Sequence, residues 1–196
     1  MSLKKLITLI MLSSTLLIAR NTIGLNINAE DFEVEGSMDI NNFSEYTNGT
    51  IFIIDANFIS IDNDNLLDTD KDKFFGTGLY LSNTFQGMEG LSLGFGARFV
   101  YLEEYMAIPI MAKAAYALMI SDVISAASIS TAVMYSPSAL SFSDAENYFE
   151  LRAEAAIEVI NAISIYGGYR KIELDYIDHS SETFNSSFYG GLKMSF

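Results

Sequence analysis

The only histidine of the chain stands in the run His179-Ser180-Ser181-Glu182. A histidine near a serine can take the hydroxyl proton during acyl transfer, provided a carboxylate orients the imidazole. The run by itself fixes no such triad, and the plainer reading is a solvated histidine in a polar loop. A second cluster, Asp62, Asp64, Asp68 and Asp70 in DNDNLLDTDKDK, has the oxygen ligands a divalent cation prefers. It lacks the glycine and closing glutamate of an EF-hand loop. A solvated acidic loop is again the plainer reading, and divalent cations held there are the binding alternative. The third group is spread along the chain at every second residue: Asp55 and Asn57, Tyr80, Arg98, Lys113, Glu150 with Arg152, Glu154 and Glu158, then Arg170, Tyr189 and Lys193. Alternation of this kind puts a polar set on one face of a strand.

The elements that carry this third group are two-faced strands. LSLGFGARFVYL turns Leu91, Leu93, Phe95, Ala97, Phe99 and Tyr101 one way and Ser92, Gly94, Gly96 and Arg98 the other. YFELRAEAAIEV sets Phe149, Leu151, Ala153, Ala155, Ile157 and Val159 against Glu150, Arg152, Glu154 and Glu158. Four charges on one strand face cannot meet lipid, so that face must look into an enclosed interior. TIFIIDANFISI, FFGTGLYLSNTF and AIPIMAKAAYALM repeat the pattern, and residues 125–135 carry it weakly. In ISIYGGYRKIELDYI the apolar phase changes sides, which predicts a bulge near Arg170 or Lys171, or the end of a membrane band. The last run, TFNSSFYGGLKMSF, places Phe188, Leu192, Met194 and Phe196 on its apolar face. A C-terminal strand ending on an aromatic is similar to the signal by which outer-membrane barrels are recognised by the barrel-assembly machinery.

The ends and the composition agree with export. Residues 1–24 join Lys4 and Lys5 to the apolar run LITLIMLSSTLLIA, with Thr22 and Gly24 as small residues before a cleavage point. The run is too short to span a bilayer, so it predicts a cleaved signal peptide. The segment carries Lys4, Lys5 and Arg20 and no acid, so its loss makes a chain of net charge −14 more acidic still. Such a chain repels nucleic acid. With 50% hydrophobic but only 18% charged residues and no cysteine, the apolar residues are dispersed by twos, as in lipid-facing strands, and no disulfide or thiolate metal site is available.

These observations predict an all-β protein: a transmembrane antiparallel up-and-down β-barrel of eight strands over residues 50–196, following the signal peptide. Residues 25–49 form an N-terminal tail or a further hairpin, which would make ten. The turns QGMEG, ISDV and INA then share the side of the termini, as short periplasmic turns do in bacterial barrels. No cofactor is expected. A narrow barrel with near-balanced inward charge is filled by ion pairs or lined as a small-solute path.

Four pieces carry a family resemblance: LNINAED with FEVEGS, LSLGFGARFVYLEE, YFELRAEAAIEV with SIYGGYRKIELDYI, and FYGGLKMSF. In them the chain resembles the YfaZ family of outer-membrane, porin-like proteins. The resemblance implies a barrel in the bacterial outer membrane, among its lipids and lipopolysaccharide, and suggests transport. It brings no catalytic residues. His179-x-Ser181 is similar to the His-x-Ser of lipid A 3-O-deacylase, which leaves a lipid A or phospholipid hydrolase as the enzyme alternative. An adhesive or envelope-stabilising role for the loops is the third.

Overall fold

The protein is described from a computed structural model, which describes residues 21–41, 50–61, 73–118, 127–177 and 181–196. Twelve strands follow one another: β1 Thr22–Ile27, β2 Asp31–Asp39, β3 Ile51–Ile61, β4 Lys73–Thr84, β5 Leu91–Leu102, β6 Tyr105–Ala107, β7 Ile110–Leu118, β8 Ala127–Ser136, β9 Ser141–Ser143, β10 Ala145–Ile160, β11 Ile163–Tyr176 and β12 Glu182–Ser195. Ten of them close an antiparallel ring. Each pairs with its neighbours in chain order, and β1 closes on β12 with Thr22 opposite Ser195 and Ile27 opposite Gly190. The ends are tied by two backbone hydrogen bonds between Asn21 and Phe196, of 3.1 and 2.9 Å. Among the described residues every ring strand has a partner on both sides, so none offers an open edge to lipid.

The barrel therefore has ten strands, and the expected eight is corrected. The two extra strands are β1 and β2, in the segment whose structure the sequence left open. Asp31, Glu33 and Glu35 alternate there with Phe32, Val34 and Gly36, and β2 pairs with β3 from Asp31 opposite Ile61 to Asp39 opposite Ile53. The hairpin is hard to see because the inward face of β2 is acidic and that of β1 is Thr22, Gly24 and Asn26. The added pair also changes the ends. Asp39 and Ile51, Thr84 and Leu91, Leu118 and Ala127, and Ile160 and Ile163 are the strand ends on the side that holds Asn21 and Phe196. The short turn 28–30 falls at the other end with 103–109 and 137–144, where β3 stops at Ile61 and β4 starts at Lys73.

The remaining strands, β6 and β9, lie outside the ring. Pro109 cannot donate to a ladder, and the chain breaks step there: β6 prolongs the line of β7, and β9 that of β8 beyond a 3-10 turn at Ser138–Leu140. The two extensions pair with each other, Ala107 opposite Ser141, and Ile108 N–H donates to the Leu140 carbonyl at 2.8 Å. The tight turns beyond them place Glu104 and Ser143 at φ 62°.

Outward residues are large and apolar: Phe188 is 80% exposed, Ile110 60% and Phe95 57%. A whole wall of such side chains has no place in water and fits hydrocarbon. Inward residues divide by height. Toward the loop end, Ile59, Phe74, Val100, Leu102, Tyr105, Tyr148, Ile172 and Leu174 form one buried apolar cluster. Phe74 packs on Phe184 and Tyr148 at ring distances of 5.7 and 6.4 Å. The apparent change of phase in β11 is not made by β11 itself; the irregularity expected near Lys171 is present one residue further on, with the extra residue on the partner strand β12. Ile172, Leu174 and Tyr176 continue the inward face into this cluster. The register shift lies between Ile172 and Glu173 against β12, where Thr183 and Asn185 flank the inserted Phe184. Lys171 and Glu173 pair at 2.7 Å on the outside, which marks the edge of the apolar band.

Candidate functional site: the charged half of the lumen

Below the apolar cluster the inward residues are ionic. Glu33 of β2 is fully buried and is the meeting point. Arg170 Nη1 of β11 donates to it, Arg152 of β10 reaches it with Nη1 at 3.1 Å and Nη2 at 2.9 Å, and Asn26 Nδ2 at 2.9 Å and Asn57 donate as well. Arg170 Nη2 also binds Asp31 at 2.7 Å, and its Nε donates to Asn185 at 3.1 Å. Arg152 Nε donates to Glu150, which accepts the Tyr148 hydroxyl from the cluster above. A buried charge is tolerable only when partnered this fully, and six strands, β1, β2, β3, β10, β11 and β12, are tied together by doing so.

A cavity of about 230 Å3 opens from this layer toward the end that holds the termini. Asp55, Asn57, Tyr80, Arg98, Lys113, Arg152, Glu154, Tyr189 and Lys193 line it, with Glu35 and with Thr22, Ser37 and Ser130 nearest that end. Lys193 Nζ joins Glu35 and Glu154 at 3.0 Å each. Arg98 Nη2 donates to Asn57 and lies 3.6 Å from Asp55. Lys113 Nζ stands 5.4 Å from the centre of the Tyr80 ring, with no carboxylate in ion-pair range among the described residues. Two close approaches make this room. A Cβ on Gly76 would come within 2.8 Å of Arg98 Nε, and one on Gly96 within 2.5 Å of Tyr80 Cβ.

Of the inward residues named from the sequence, Asp55, Asn57, Tyr80, Arg98, Lys113, Arg152, Glu154, Tyr189 and Lys193 meet at the cavity, and Glu150 and Arg170 lie in the layer above. Glu158 does not join them: it accepts the Ala162 N–H at 3.1 Å and caps the β10–β11 turn. Asp31, Glu33, Glu35, Asn26 and Asn185 were missed. The alternating acids of DFEVEG were the signal for three of them. Phe188, Leu192 and Met194 face outward at 80%, 56% and 42% exposure, and Phe196 is held by Asn21. Ser181 donates to Asp175, on the outward side of β11. His179, Asp62, Asp64, Asp68 and Asp70 lie outside the described residues, and no group of metal-ligating side chains is found among those described.

A closed antiparallel ring with an apolar wall outside and charges inside defines an outer-membrane β-barrel of porin-like type, since hydrocarbon admits no unpaired backbone. Among the described residues no helix is long and apolar enough to cross a membrane. The chain belongs to the YfaZ family, whose model, described as YfaZ precursor, matches residues 7–196. Comparison with curated proteins gives no match. Solved structures similar to it include the NanC porin, at 11% identity and TM-score 0.44 over 91% of this chain and 98% of that one. The KdgM porin follows at 11% and 0.40 over 90% and 98%. The outer membrane channel DcaP of Acinetobacter baumannii gives 9% and 0.41 over 88% and 54%. The closed ring, its apolar outer wall and the family membership make the protein an integral barrel of the bacterial outer membrane.

Proposed function

We propose that the barrel is a narrow small-solute channel, drawn in its closed state, with the charged cavity as its solute chamber and the aromatic cluster as its barrier. The observation that carries this is the unfinished packing of the cavity. A purely structural core is filled and its polar atoms are partnered. Here Asp55 Oδ1 and Arg98 Nε are buried without a hydrogen-bond partner among the described residues, beside open volume. In planar bilayers the wild-type barrel is expected to give rare, small steps, and Phe74→Ala with Tyr148→Ala frequent ones. Folded double-variant barrels that pass no current would leave only a structural role.

Three further parts belong to this reading. The end with the termini faces the periplasm, and the outward Phe188, Leu192 and Met194 with Phe196 form the signal read by the assembly machinery. The loop around Asp62, Asp64, Asp68 and Asp70 meets lipopolysaccharide, through divalent cations. The signal peptide is cleaved no later than the bond before Asn21, because Thr22 and Gly24 belong to β1 and Asn21 closes the ring on Phe196. N-terminal sequencing of the membrane-extracted protein checks this: a start at Leu25 would remove half of β1 and contradict it.

A further inference from the structure

We infer that the solute of this chamber is zwitterionic: a small molecule with a carboxylate at one end and an ammonium at the other, such as an amino acid or short peptide. This rests on the chamber reading above and gives it a substrate class. The volume of about 230 Å3 lies below the roughly 300–1,000 Å3 of sites for drug-sized ligands, so only a small molecule fits.

The charges select its type. Four cations, Arg98, Lys113, Arg152 and Lys193, and three carboxylates, Glu35, Asp55 and Glu154, line the cavity. A solute of one sign therefore meets repulsion along with attraction. What separates the ends of a dipolar solute is which groups are already satisfied. Lys193 lies between its two carboxylates, and Arg152 is engaged by Glu33 and Glu150. Among the described residues Lys113, on β7, has only the Tyr80 ring, and Ser130 on β8 adds a hydroxyl to the cavity on its side. That is the place for a carboxylate. Asp55, on β3, has a buried oxygen with no donor among the described residues and, among these, only a loose contact with Arg98 at 3.6 Å. That is the place for an ammonium. With β5 and β4 between β7 and β3 in the ring, and strands about 4.8 Å apart, the two places sit on separate parts of the wall. A single small ion cannot use both.

The test is calorimetric titration of the folded barrel in detergent micelles with glycylglycine, and separately with acetate and ethylammonium. Glycylglycine should bind at least tenfold more tightly than either single ion. Lys113→Gln and Asp55→Asn should each weaken it by tenfold or more while keeping the strand circular dichroism of the parent. Equal binding of acetate or ethylammonium, no binding of glycylglycine, or indifference to both substitutions would overturn the assignment. Binding in micelles does not need the aromatic barrier to open. Zwitterion binding without current in the barrier variants would therefore defeat transport alone, and current without binding would defeat this inference alone.

Discussion

The two halves of the lumen are built by the same strands under the same alternation, yet one is dry and the other charged. In β11 the inward series runs Tyr166, Gly168, Arg170, then Ile172, Leu174 and Tyr176. In β10 it runs from Tyr148 through Glu150 and Arg152 to Glu154. Period two fixes which side chains face the axis and says nothing about their polarity. Closing the ring settles the outside as apolar, because lipid is there. The inside is free to be a packed core at one height and an ionic chamber at another, and Tyr148, in the cluster but bonded to Glu150, is the seam between them.

The contrast predicts unequal responses to substitution. Glu33→Ala strikes the ionic half at its centre and strands Arg170 and Arg152, so it should cost about 3–5 kcal/mol. Urea unfolding in micelles would show it, and a cost as small as that of a surface change would mean the layer is not the tie between strands. Ile172→Ala in the dry half should cost about 2–5 kcal/mol through the cavity it leaves. It should be insensitive to salt, which distinguishes it from a change in the chamber. Lys193→Met comes last, at about 1 kcal/mol, because its ion pairs are partly solvated. Its effect should shrink as salt rises, and an effect equal to that of Glu33→Ala would erase the difference between layer and chamber.

Much of this was legible in the residues. From β3 to β12 the ring strands stand where alternation put them, because lipid outside and charge inside leave a clear two-residue period, as in Leu91–Leu102. Three features were not. β1 and β2 carry small and acidic inward residues and, outward, Ile23, Leu25, Ile27, Phe32, Val34 and Met38 interrupted by Gly36, so the hairpin has little apolar contrast with a polar tail. Ile172 and Leu174 looked like a broken phase because a polar lumen was expected throughout. β6 and β9 depend on paired interruptions at Pro109 and at the 3-10 turn after Pro137, a match between distant segments that no local pattern encodes. The cavity is of the same kind: it follows from which ion pairs form across the ring, which spacing along one strand cannot show.

The chain has no cysteine, so the division of the lumen can be probed with single introduced thiols and a charged, water-soluble thiol reagent. Ser130→Cys in the chamber should react readily in the folded barrel, and Val100→Cys in the aromatic cluster should stay protected until Phe74→Ala and Tyr148→Ala are added. Equal rates at the two positions in the otherwise unaltered barrel would contradict a lumen that is open and charged at one end and sealed at the other.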